Sequence, residues 1–208
     1  MSYFSDEVND FTVYEAPKNG GTTLRLWICY AGTGEIIKST DDAYYAGTAE
    51  TYQLLQDWGY ANKKFEKVGT TEKVCIKRNP IDRFISCFYD KAIKEGRIKC
   101  DLDTFLDNFD VEIKKTKEKM NDGKTNFLRF HFAPQSWHYG KNPNYFDHVF
   151  DVSEVGTKLK EYLEDKWKVQ LPNLHARNSG GGRKFDLTTS QIRKLEEIYK
   201  EDFNNGWI

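Results

Sequence analysis

The chain has 208 residues, a formal net charge of −1 and 30 % charged residues of both signs. That balance excludes a general nucleic-acid binder, which needs a basic surplus, but leaves room for a local basic pocket. The length suits a single domain over 1–208, and a 15 % aromatic content supplies large side chains for its core.

The opening stretch "MSYFSDEVNDF" carries neither the basic region nor the apolar run of a signal peptide. No segment approaches the roughly 20 apolar residues that cross a bilayer. The expectation is a soluble, cytoplasmic protein with no membrane partner. Cys29, Cys75, Cys87 and Cys100 show no metal-ligand spacing. No structural metal and no disulfide framework are expected, and Cys75 and Cys87 read as core thiols.

"FTVYEA", Phe11 to Ala16, alternates and reads as a strand. A helix is expected from Thr22 or Thr23, with Leu24, Trp27, Ile28 and Ala31 on one face and Gly32 and Gly34 at its end. Residues 41–60 read as helical in their second half, with Tyr52 and Leu55 inward. "KVCIKR", Lys73 to Arg78, is a second strand. The helix after it has Asn79 as N-cap, Pro80 at the first position and Gly96 as the stop. Ile81, Phe84, Ile85, Phe88 and Ala92 form its apolar stripe.

A further helix starting at Asp101 or Asp103 buries Leu102, Phe105, Leu106 and Phe109, and the lysines of 114–119 are its solvated continuation. Phe146 to Val152 reads as a strand, followed by a helix from Ser153 to about Trp167. Thr188 and Gln191 form a capping box, with Leu187 and Ile192 as the staple, for a helix reaching about Phe203. Between these last two helices lies a glycine-rich loop with Arg177, Arg183 and Lys184. Strands alternating with helices define an α/β fold with a mostly parallel central sheet flanked by helices.

In such sheets, ligands bind outside the carboxyl ends of the strands. The first strand end carries "PKNGGTTL", Pro17 to Leu24. Gly20 and Gly21 admit close backbone approach, the helix start offers N–H groups to an anion, and Thr22 and Thr23 add hydroxyls. Lys18 precedes the glycines, whereas the nucleotide-hydrolase loop places its Lys after the last one. At the second strand end Arg78 closes the strand, and Ser86 lies seven residues beyond Asn79, close to two helical turns. Arg78 and Ser86 are therefore candidates for a second anion site. Taken singly, a glycine pair is ordinarily a turn, and an Arg at a strand end ordinarily pairs with a carboxylate such as Asp82.

Together, "PKNGGTTL" and "RNPIDRFISCFY", Arg78 to Tyr89, resemble the two cofactor motifs of sulfotransferases that use 3′-phosphoadenosine 5′-phosphosulfate (PAPS). "HFAPQ" from His131, "FDHVFDVSEV" from Phe146 and "IYKEDF" from Ile198 resemble the carbohydrate sulfotransferase branch. The resemblance implies a P-loop-like three-layer arrangement and transfer of a sulfuryl group from PAPS to an acceptor hydroxyl, with a carbohydrate as one candidate acceptor and 3′-phosphoadenosine 5′-phosphate (PAP) as product. It implies Pro17, Lys18, Asn19, Gly20, Gly21, Thr22 and Thr23 around the 5′-phosphate, with Lys18 at the bridging oxygen. Arg78 and Ser86 would hold the 3′-phosphate. For Arg183 and Lys184 two readings stand, closure over that phosphate or an ordinary solvated loop.

Sulfuryl transfer also needs a base for the acceptor's proton. Many relatives place a histidine between the two motifs, and this sequence has none there. His131 is the leading substitute, with a structural histidine in an aromatic cluster as its equal alternative reading; His138 is close by, Glu15 and Asp57 are carboxylate alternatives, and Phe132, Trp137 and Tyr139 are an expected acceptor platform. His148 and His175 read as structural. Two other readings remain open at this stage: a P-loop phosphoryl-transfer enzyme, and a non-catalytic nucleotide- or glycan-binding protein.

Overall fold

In the computed structural model, which describes residues 2–36, 55, 57, 60–61, 70, 72–115, 126–174 and 186–208, the alternating stretch Phe11–Glu15 is a strand paired on both sides. The strands are β1 (Ser2–Asp6), β2 (Phe11–Glu15), β3 (Tyr60–Ala61), β4 (Glu72–Lys77) and β5 (His148–Asp151). The helices are α1 (Gly21–Thr33), α2 (Pro80–Phe88), α3 (Leu102–Asp107), α4 (Phe109–Lys115), α5 (Phe127–Phe132), α6 (Gln135–Tyr139), α7 (Lys160–Trp167), α8 (Thr189–Ile198) and α9 (Lys200–Asn204). Tyr52, the lysines at 117 and 119, His175, Arg177, Arg183 and Lys184 lie outside the described residues.

The chain divides into two compact units, one over Met1–Lys77 and Asn142–Arg177, the other over Arg78–Lys141 and Asn178–Ile208. The first holds the sheet, in the order β3-β1-β2-β4-β5. Its β2, β4 and β5 are parallel, as expected, while β1 and β3 add antiparallel pairings. β1 is unannounced in the sequence because "SYFSD" is short and half polar. It forms through a tight connection in which Asp6 Oδ1 accepts from the N–H groups of Val8 and Asn9.

Period-two alternation places Phe4, Phe11, Val13, Val74 and Ile76 in one core with Leu24, Trp27 and Ile28 of α1 and Leu163 of α7. Each fully buried side chain of this size contributes about 1.5–3 kcal/mol. Leu55 joins the same core. The helix expected from Ser153 forms as a 3-10 turn (Val152–Glu154), a π turn (Val155–Leu159) and then α7. The start is fixed by a capping box between Asp151 and Glu154.

The second unit is helical. Asn79 caps α2, its side chain accepting from Ile81 N–H (3.0 Å) and Asp82 N–H (3.3 Å), with Pro80 at the first position. A π turn, Tyr89–Lys94, continues it, and Gly96 follows at φ 60°. Phe84, Phe88, Phe105, Leu106, Phe132, Leu195 and Tyr199 form the core of this unit. The expected helix from Asp101 is broken at Asn108 into α3 and α4, and the one from Thr188 is broken at Tyr199 into α8 and α9. The Thr188–Gln191 capping box is present.

Candidate active site

β2 and β4 are adjacent and parallel, so both end at the same edge of the sheet. After β2, Asn19 N–H donates to the Ala16 carbonyl at 3.2 Å, which closes a tight turn. Pro17 presets the second position of this turn. Lys18 takes the third at φ 71°, a left-handed conformation that Gly or Asn ordinarily fills. Holding a lysine there costs on the order of 1–2 kcal/mol. Non-glycine residues in such strained positions cluster at ligand and active sites.

Asn19 is fully buried, and its Nδ2 donates to the Ile76 carbonyl at 2.7 Å, tying the turn to β4. Its side chain therefore positions the loop from inside. Gly20 has φ 83°, and a Cβ there would meet Val155 Cγ2 at 3.1 Å. A Cβ on Gly21 would lie 2.1 Å from Glu15 Oε2. Glu15 is buried against this glycine and ion-paired with Arg25. That engagement makes it part of the scaffold and a poor candidate for the base.

α1 begins one residue earlier than expected, at Gly21, with Gly20 as N-cap. No side chain caps it, and its first turn has no acid. Leu24 N–H makes the bond to the Gly20 carbonyl, so the amides of Gly21, Thr22 and Thr23 precede the helical ladder. Such a helix start has partial positive charge and N–H donors for an anion.

After β4 the arrangement differs. Arg78 lies just past the strand and is half-buried; the helix start beyond it is already occupied by the Asn79 side chain and has Asp82 in its first turn. Backbone N–H groups are thus spent on the cap, and an anion here has to be met by side chains. Arg78's own backbone is gripped by Gln135: Oε1 accepts from its N–H at 2.9 Å and Nε2 donates to its carbonyl at 2.7 Å. Ser86 is buried on α2. Arg83, also buried, donates to the carbonyls of His131 (3.3 Å) and Ala133, and its guanidinium lies 5.7 Å from the Tyr199 ring centre. "RNPIDR" and "HFAPQ" therefore interlock through two arms, Gln135 on Arg78 and Arg83 on the His131–Ala133 carbonyls.

A family model described as "Sulfotransferase family" matches residues 2–205. This chain belongs to the sulfotransferase family. The match covers nearly the whole chain, both turns included, and classifies it as a PAPS-dependent sulfotransferase family protein. Neither a curated protein nor a solved structure matches it significantly. No described helix is long and apolar enough to cross a membrane.

Within this sulfotransferase, Pro17 to Thr23 form one continuous turn and helix start in the first unit, while Arg78, Ser86 and His131 belong to the second. His131 Nδ1 is 2.8 Å from the Phe127 carbonyl, and its ring centre lies 4.2 Å from that of Phe127, with the planes tilted by 40°. Since a carbonyl only accepts, the proton sits on Nδ1 and Nε2 is the basic nitrogen. His138 is buried, its Nε2 3.1 Å from the Phe130 carbonyl; burial, and then the nearby Arg83 charge, push its pKa well below the usual histidine range. It is a neutral core residue. His148 is structural, as expected, with Nε2 2.8 Å from Glu72 Oε1.

The expected acceptor platform is corrected in part. Phe132 and Tyr139 are core residues, because the short α5 and α6 turn them inward, whereas Trp137 is 49 % exposed. Asp57 is exposed. Gln135 and Asp202 were missed as site-supporting residues. Their signal was present in the quoted "HFAPQ" and "IYKEDF", but the partners are 57 and 67 residues away in the chain.

Proposed function

We propose that this protein transfers the sulfuryl group of PAPS to the hydroxyl of an acceptor, with a carbohydrate as the acceptor class suggested by the motifs from His131 and Phe146. The observation that carries the proposal is the turn after β2: a lysine held in a left-handed conformation beside a helix start with no capping side chain and no acid. Gly20 and Gly21 keep that approach open, and Thr22 and Thr23 add hydroxyl donors. The fit is to a phosphosulfate whose bridging oxygen gains charge as the bond to sulfur breaks. Lys18 meets that charge, and the amides of α1 hold the 5′-phosphate.

Arg78 and Ser86 are proposed contacts for the 3′-phosphate, and Arg183 and Lys184 for its cover. His131 is the proposed base, taking the acceptor's proton on Nε2 as the new oxygen–sulfur bond forms. A P-loop-like three-layer arrangement and a cytoplasmic location complete the reading; buried thiols at Cys29 and Cys75 accord with a reducing compartment. Incubation with radiolabelled PAPS and a panel of sugar, phenol and tyrosine acceptors tests it. Label should move to a sugar hydroxyl; a protein that binds PAP yet labels no acceptor would be a binding module.

A further inference from the structure

We infer that Gln135 is a positioning residue for Arg78, and that the segment from Asp202 to Trp207 holds Gln135 in place. This rests on the reading of Arg78 as a 3′-phosphate contact. Fully buried Gln135 spends both ends of its amide on one residue, accepting from Arg78 N–H at 2.9 Å and donating to the Arg78 carbonyl at 2.7 Å. A neighbouring strand would supply the same pair of bonds, and here they fall one residue beyond the end of β4. The backbone that launches the Arg78 side chain is thereby fixed where the sheet no longer fixes it. The second Nε2 hydrogen goes to the Trp207 carbonyl at 3.2 Å. A glutamate has no such donor, and a methionine has neither donor nor strong acceptor.

Gln135 is itself held. Asp202, also fully buried, accepts from Gln135 N–H through Oδ2 and from Ser136 N–H through Oδ1, each at 2.7 Å. α6 starts at Gln135 with Pro134 at the N-cap and no side-chain cap of its own, so Asp202 serves as its cap. Trp207 N–H donates to the Asp202 carbonyl at 2.9 Å, and its indole Nε1 donates to the Gly140 carbonyl at 3.0 Å. The segment therefore grips both ends of α6. Burial keeps Gln135, Asp202 and Trp207 from touching a ligand, so any effect they have on recognition is indirect.

The test is calorimetric binding of PAP and of adenosine 5′-monophosphate, which lacks the 3′-phosphate, to the whole chain. The variants are Gln135→Met, Gln135→Glu, Arg78→Ala and the double variant Arg78→Ala/Gln135→Met. Methionine keeps the volume and removes every amide bond; glutamate keeps the acceptor for Arg78 N–H. Gln135→Met should lower the preference for PAP at least tenfold with adenosine 5′-monophosphate affinity unchanged, and Gln135→Glu should recover part of it. The double variant should prefer PAP no less than Arg78→Ala alone. An unchanged preference in Arg78→Ala would refute the 3′-phosphate reading itself. If Arg78→Ala lowers the preference and Gln135→Met does not, or if both ligands weaken equally, the positioning role is overturned. Should Gln135→Met fail to fold, Gln135→Glu decides on the same criterion.

Discussion

The turns after β2 and β4 leave adjacent parallel strands, yet they equip their helix starts in opposite ways. α1 opens on Gly20 with no capping side chain and no acid, so its amides remain available to an anion. α2 opens on Asn79, whose side chain takes two of those amides, and carries Asp82 in its first turn. The first turn offers backbone and one strained lysine; the second offers Arg78 and delegates the backbone to structure. A helix start is therefore not an anion site by virtue of its dipole alone. What occupies the N-cap decides whether the donors are free to serve a ligand.

The largest test of this contrast is at Lys18. Lys18→Ala should lower turnover by about 10²–10³-fold, as loss of one transition-state donor does, with a smaller loss of PAP affinity. Lys18→Gly should lose as much activity while raising the melting temperature, because glycine accepts φ 71° without strain. Equal stability of the two variants would mean that the turn stores no strain. His131→Ala comes next: turnover should fall by about a hundredfold with PAP affinity and melting temperature kept. Wild-type turnover on the true acceptor would remove His131 from the mechanism, leaving Asp57 as the next carboxylate to test.

Smaller effects probe the scaffold. Gly21→Ala should destabilise the protein by about 1–3 kcal/mol, since its Cβ must displace the Glu15 carboxylate from Arg25. Gly34→Ala, with φ 74° but open space, is the control and should cost less in thermal denaturation. The smallest lies at the start of β4, away from either turn. Burial pushes the Glu72 pKa up, but hydrogen bonds from Lys166 and His148 outweigh it and hold the carboxyl below its usual value. A depressed folded-state pKa stabilises the fold above the unfolded pKa and ceases to do so as pH falls through the folded value. Glu72→Gln should therefore lower the melting temperature at neutral pH, with the gap closing in acid and turnover unchanged. A gap that widened in acid would contradict this assignment.

Much of the first turn is legible in the sequence because its parts are neighbours: Pro17, Lys18, Gly20 and the start of α1 act within a few residues. The Asn79–Pro80 start and the Thr188–Gln191 box are local for the same reason. What escapes is long-range or half-polar. β1 declares itself only through its pairing in the sheet, the anchoring of Asn19 shows only once its Nδ2 is seen on Ile76, and Gln135 acquires meaning only beside Arg78 and Asp202. Phe132 and Tyr139 mislead because aromatic content does not reveal which side of a short helix is buried. The family match over residues 2–205 then supplies the chemistry that geometry alone leaves general.

The proposal at the centre of this account is that the protein binds a bisphosphorylated nucleotide. Calorimetry tests it most directly, with PAP and adenosine 5′-monophosphate in a chelated, metal-free buffer and ATP in a separate titration with Mg²⁺ in excess of the chelator. The account predicts that PAP binds without metal and at least tenfold more tightly than adenosine 5′-monophosphate, the gain expected of charge-assisted contacts to a second phosphate. Binding of ATP with Mg²⁺ in the absence of PAP binding would contradict it and make this a phosphoryl-transfer site.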